Sequence, residues 1–194
     1  MNKPIGIIAG IFVVFVAVFG LGVYKFKFAI NDTNLVNIGA TSAKDATYKI
    51  NGEFVTLNDG VSDGSLLIPG TASKIITKYF GSDVKHDFDG DGREDLAFIL
   101  TQETGGSGTF YYVVMALNTS NGWVGSDSVL LGDRIAPQTM HMGNGNVVVV
   151  NYVVRNPGEP FTTRPSLGKS IWLLLDTKTM QIGEVAQDFE KSLI

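Results

Sequence analysis

Phe110, Tyr111, Tyr112, Val113, Val114 and Met115 form an uninterrupted apolar and aromatic run. A strand with one face in water alternates apolar and polar residues, so a run without alternation is buried on both faces and belongs at the centre of a β-architecture. Turn-formers bound it on both sides, with residues 103–108 (Glu-Thr-Gly-Gly-Ser-Gly) before and residues 118–122 (Asn-Thr-Ser-Asn-Gly) after. The strand it predicts, residues 109–117, needs neighbours on either side and layers above and below.

The rest of the chain beyond residue 47 supplies them as short segments separated by Gly, Asn and Asp. Residues 47–50, then Asn51-Gly52, then residues 53–57 carry the clearest hairpin signal, because Asn-Gly supplies the positive φ that a type I′ turn requires. Residues 84–88, 95–101, 128–131, 171–175 and 180–185 read as further strands. Residues 138–142 and 147–154 flank Gly143-Asn144-Gly145-Asn146 as a second hairpin. Residues 72–80 suit a strand by their β-branched content and a short helix by the spacing of Ile75, Ile76 and Tyr79. Residues 65–69 and the proline-rich residues 155–168 read as loops, and residues 187–194 as a polar tail. With no amphipathic helical stretch of useful length, the class is all-β. An antiparallel β-sandwich and a partly open barrel of roughly nine to ten short strands both satisfy the pattern.

Residues 87–95, Asp-Phe-Asp-Gly-Asp-Gly-Arg-Glu-Asp, place carboxylates at positions 1, 3, 5 and 9 (Asp87, Asp89, Asp91 and Asp95) and the carbonyl of Arg93 at position 7. Gly92 holds position 6, where such loops turn sharply. An oxygen-only donor set at flexible geometry suits Ca2+, which takes about six to eight oxygens. Converging carboxylates repel one another unless a cation lies between them. The alternative is a solvated acidic turn between two strands.

Phe80-Gly81-Ser82-Asp83-Val84, the acidic loop, and Leu96-Ala97-Phe98-Ile99 together resemble one FG-GAP repeat, the calcium-loop unit of integrin-type propellers and of many bacterial surface proteins. The resemblance implies a loop joining two neighbouring strands, with Asp87, Asp89, Asp91 and Asp95 holding calcium. Leu100-Thr101-Gln102 stands where that motif ends in Gly-Ala-Pro, and the unit occurs once, whereas a propeller needs several blades. Residues 105–112 through 131–134 are similar to membrane-anchored and secreted bacterial β-domain proteins, a likeness that brings no activity with it.

Residues 5–24 are twenty residues without a charge, long enough at about 1.5 Å per residue to span a bilayer's hydrocarbon as a helix. A cleaved signal peptide is the rival reading, although its apolar region is ordinarily shorter, about 7–15 residues. The expected organisation is an anchor at 1–27, a stalk at 28–46 and an all-β domain at 47–194. Lysines on both flanks leave the orientation open. A calcium loop of extracellular affinity, about 10⁻⁴–10⁻³ M, places the domain on the extracytoplasmic side.

The absence of cysteine excludes a disulfide frame, a zinc-thiolate site, a thiol nucleophile and a lipidated cysteine. Three of the 15 basic residues precede residue 28 and all 19 acidic residues follow it, so the remainder is strongly acidic and unsuited to nucleic acid. Two histidines, His86 and His141, leave little material for a Ser-His-Asp arrangement. His86 reads as a half-exposed strand residue beside acidic groups, and Asp133-Arg134 as a turn with a local ion pair. Gly105-Gly106-Ser107-Gly108 is followed by a strand and so reads as a hairpin loop, not a phosphate cradle. Phe110, Tyr111, Tyr112, Tyr152 and Trp172 are expected in the core, and Trp123 partly exposed. Arg155, Glu159, Phe161 and Arg164 make the proline-rich loop a candidate partner surface.

The sequence therefore points to a membrane-anchored, extracytoplasmic β-domain holding one structural Ca2+ and serving as a non-catalytic binding or structural module of the cell envelope, with a protein or glycan partner. The alternatives are an envelope hydrolase with structural calcium and a subunit of a larger envelope complex.

Overall fold

The computed structural model describes residues 39–62, 64 and 74–187. The anchor expected at residues 5–24, the first part of the expected stalk, and residues 188–194 of the tail lie outside them. Among the described residues no helix is long and apolar enough to cross a membrane. The described chain is all-β, with eleven strands in a closed seven-stranded barrel and a four-stranded sheet.

The barrel runs β1 (Thr47–Ile50), β2 (Glu53–Asn58), β3 (Val61–Ser62), β4 (Ile76–His86), β5 (Asp95–Glu103), β6 (Thr109–Thr119) and β7 (Gly122–Asp133), each antiparallel to the next. It closes where β1 meets β7 in parallel, Lys49 opposite Asp127. Gly125 permits that closure, since a Cβ there would stand 2.3 Å from the Thr47 carbonyl oxygen and 2.7 Å from the Tyr48 ring. The second sheet has the order β11-β10-β9-β8, from β8 (Ala136–Met142), β9 (Val148–Val154), β10 (Leu167–Asp176) and β11 (Gln181–Val185).

The residue alternation of β5 and β6 builds two cores. Phe98, Leu100, Tyr112, Val114 and Ala116 face the barrel interior, where they meet Tyr48, Ile50, Val55 and Leu57. Ala97, Ile99, Val113, Met115 and Leu117 face outward and meet Val148, Val150, Ile171, Leu173 and Ile182 of the second sheet. The wall containing β5 and β6 is thus a side of the barrel and also one layer of a sandwich. This accounts for the unbroken apolar run of β6, the central strand its sequence predicts.

The structure corrects the expected architecture in three places and decides one open reading. The barrel is closed, because bulges in β4 around Gly81 and in the β6–β7 pair bend the wall round. Of the stretch 72–80, which reads equally as strand or short helix, residues 72 and 73 lie outside the described residues and Ile76–Phe80 begin β4, which runs on through Gly81 to His86. β7 (Gly122–Asp133) is twelve residues long where only a strand of four, residues 128–131, is expected. Residues 40–46, expected to end a stalk, belong to the domain. Ser42 caps a short 3₁₀ turn (Ala43–Asp45), Ala40, Ala43 and Ala46 are buried in the barrel core, and the Tyr48 hydroxyl donates to the Ala43 carbonyl at 2.6 Å.

Candidate metal centre

Residues 87–95 connect β4 to β5. The chain reverses through Gly90 (φ 79°) and Gly92 (φ 85°), left-handed positions that glycine occupies without strain. Phe88 fastens the loop by inserting into the core between the barrel wall and the second sheet, where it is 4% exposed.

The carboxylates are oriented largely by backbone N–H groups. Asp87 Oδ1 accepts from Gly90 N at 2.7 Å and from Asp91 N at 3.1 Å, and Asp87 Oδ2 accepts from Gly92 N at 2.8 Å. The Gly92 bond is the chief reason the Asp87 carboxyl is held below the usual carboxylate range, with the other two N–H groups adding to it and partial desolvation opposing it. Asp95, 1% exposed, accepts from Phe88 N at 2.8 Å and from Asn118 N at 2.7 Å. Burial pushes its carboxyl up despite those two bonds, and the negative charges of Asp89 and Asp91 add to the rise. Asp89 accepts one bond, from Asp91 N at 3.1 Å.

Ligand oxygens of Asp87, Asp89 and Asp95 all lie within 4.8 Å of one another. That spacing fits oxygens around a common centre at the Ca2+ distance of about 2.3–2.6 Å, where opposite ligands stand roughly twice that far apart. A carboxylate offers about four lone-pair sites; three are engaged on Asp87, two on Asp95 and one on Asp89 by the bonds above. Each therefore retains a lone pair for a cation, and the donor set is oxygen only, so these three residues fit a hard divalent ion.

The two remaining predicted positions are placed differently. Asp91 lies outside the cluster of three. Its carboxylate accepts from its near neighbour Arg93, both at the backbone N–H (2.8 Å) and at the guanidinium, whose Nε also donates to the Asn118 carbonyl. Sequence reasoning assigned Arg93 a carbonyl ligand and missed this side-chain role, which braces the loop against the β6–β7 turn. It also missed Asn118 and Asn146. Asn118 donates its N–H to Asp95 and its Nδ2 to the Glu94 carbonyl at 3.5 Å. Asn146, from the β8–β9 hairpin, donates to the Phe88 carbonyl at 3.2 Å and its Oδ1 lies 2.9 Å from His86 Nε2. Both asparagines sit in sequences that read as turns, but nothing local in those turns points to a partner tens of residues away.

Away from the loop, Asp133 and Arg134 form the expected ion pair at 2.6 Å, and the Arg134 guanidinium stacks 3.7 Å from the ring of Phe161. The proline-rich loop is ordered by Arg155, which donates to the Thr163 carbonyl at 2.5 Å and the Arg134 carbonyl at 2.8 Å. Phe161 is 61% exposed. Trp172 departs from the expected core position. It is only partly buried, because Ile171 and Leu173 on either side of it take the inward face of β10.

Compared with known protein families, with curated proteins and with solved structures, the chain has no match.

Proposed function

We propose that the chain is a calcium-stabilised β-domain displayed on the extracytoplasmic side of a membrane by residues 5–24, working as a non-catalytic binding or structural module of the cell envelope. The observation that carries the calcium part is the convergence of Asp87, Asp89 and Asp95 within 4.8 Å on a loop whose other fastenings are independent of any ion. In this reading Asp91 and the Arg93 carbonyl complete the ligand set given by the spacing, and the FG-GAP-like sequence around the loop supports the same ion. The anchor and its orientation rest on the apolar run and on the millimolar calcium available outside cells.

A cation bound here would cross-link parts that are distant in sequence. Asp87 directly follows β4, Asp95 begins β5, and Asp95 is bonded to Asn118 at the tip of the β6–β7 hairpin. The ion is therefore a clamp on the barrel wall, a structural role.

Calorimetric titration of calcium into chelator-stripped full-length protein tests the proposal. The expected result is one site with a dissociation constant in the range of about 10⁻⁴–10⁻³ M, abolished in Asp89→Ala. Asp89 is the informative position because it is exposed and accepts a single backbone bond, so its loss removes a ligand without unfolding the loop. Heat of binding unchanged in Asp89→Ala, or none in the unmutated protein, contradicts the proposal.

A further inference from the structure

The second sheet gives one face to the shared core through Ile171, Leu173 and Leu175 of β10. Alternation puts Trp172 and Leu174 on the opposite face. Register then aligns one row across all four strands there, His141 opposite Val149, Val149 opposite Trp172 and Trp172 opposite Val185. The adjoining row is polar and consists of Thr139, Asn151 and Ser170. Asn151 Nδ2 donates to Thr139 Oγ1 at 2.8 Å, and Ser170 Oγ donates to Asn151 Oδ1 at 2.5 Å. Those bonds leave a second amide N–H, a second lone pair on the amide oxygen and the threonine O–H to offer a ligand. Thr139, His141 and Ser170 are exposed, and Asn151 and Trp172 partly so. Gly168 and Gly183 keep the face low, with open space where a Cβ would stand.

The chain carries 19 acidic and 15 basic residues, yet the outward positions of these strands hold no lysine, arginine or glutamate. Their carboxylate, Asp176, ends β10 and is committed to the following turn, accepting from Lys178 N at 3.0 Å and Thr179 N at 3.4 Å. Apart from the His141 imidazole, an ionic partner finds no counter-charge on such a face. An aliphatic partner would strip water from the amide and hydroxyl row without replacing its hydrogen bonds. A pyranose ring meets both demands, laying C–H groups on the indole and exchanging hydroxyl hydrogen bonds with the neutral row beside it.

We infer that this face binds a neutral glycan, with Trp172 as the stacking platform and Thr139, Asn151 and Ser170 as the hydrogen-bonding row. The inference rests on the binding-module reading above, for which it names the partner class, and it uses none of the loop carboxylates.

Full-length Trp123→Phe protein, which keeps Trp172 as its indole, is titrated in a sugar-free zwitterionic detergent with chitohexaose, cellohexaose, laminarihexaose and mannohexaose. At least one hexasaccharide is expected to shift the Trp172 emission saturably. By calorimetry, Trp172→Ala is expected to weaken that binding about tenfold and Asn151→Ala about fivefold, with circular dichroism unchanged. Asn151 is a surface residue, so its variant keeps the test valid should Trp172→Ala unfold. Absence of binding at millimolar concentration of all four sugars overturns the inference, as does binding that neither substitution weakens. Self-association abolished by Trp172→Ala assigns the face to a second copy and also overturns it. A calcium melting scan of the same preparation reports on the loop separately, so failure of one reading is not mistaken for failure of the other.

Discussion

Gly125 is the residue at which the closure of the barrel is least tolerant. The atom a methyl group would meet is backbone, the Thr47 carbonyl oxygen at 2.3 Å, and it cannot swing away as a side chain could. Gly125→Ala is expected to destabilise the domain by about 2 kcal/mol or more, either by forcing β1 and β7 apart or by displacing Tyr48, read as a fall in denaturant midpoint. Two carboxylates set opposite pH dependences. Asp45 is held below its usual value of 3.8, chiefly by the Ser42 hydroxyl and then by the Asp59 N–H. Its contribution is present above that value and is lost as pH falls through the lower folded value. Asp127 is pushed above 3.8 chiefly by burial, although Ile182 N donates to it at 2.7 Å and Lys49 opposes the shift. The folded state there retains its proton longer, so stability declines as pH rises from 3.8 through the raised folded value. Asp45→Asn is expected to flatten the acid limb of a stability profile below 3.8, and Asp127→Asn to flatten the decline above it.

The elements most legible in the sequence are those whose signal is local. Asn51 (φ 54°) and Gly52 (φ 89°) make the type I′ turn their identities demand, and β1 and β2 pair outward from it, Ile50 opposite Glu53. The acidic loop lies between two strands, as its spacing requires. What was hidden is set by partners far along the chain. The expected strand at residues 128–131 is only part of β7, whose Gly125, Ser126 and Asp127 serve the barrel seam and the second sheet, with Asp127 N donating to the Met180 carbonyl at 2.9 Å. Apolar residues on both sides of Trp172 conceal the parity of β10, so its outward position emerges only from the pairing with β9 and β11. Residues 40–46 look like linker because alanine is compatible with many settings, and only the barrel interior shows that Ala43 and Ala46 are core. A truncated chain beginning at Thr47 is accordingly expected to melt lower than one beginning at Gly39. Loss of the buried alanines and of the Tyr48–Ala43 hydrogen bond costs about 2–3 kcal/mol together, or roughly 5–10 °C at this size. Equal melting temperatures would show that residues 40–46 are dispensable.

At the scale of the whole molecule, two cores share one wall, and the acidic loop lies where the barrel hairpin carrying Asn118 and the second-sheet hairpin carrying Asn146 both reach it. A cation at that junction would stabilise the parts jointly, whereas three carboxylates within 4.8 Å and no cation load the folded state with repulsion. The most direct measurement is the thermal melting of the full-length protein in calcium, in magnesium and in chelator. Ion binding to the native state alone adds about 1.4 kcal/mol at ten times the dissociation constant and about 2.7 kcal/mol at a hundred times. The midpoint is therefore expected to rise with calcium by several degrees, to rise less with magnesium because that ion demands tighter octahedral geometry, and to lose its calcium response in Asp89→Ala. Superimposable curves in calcium and chelator would contradict the account and leave residues 87–95 a solvated acidic turn.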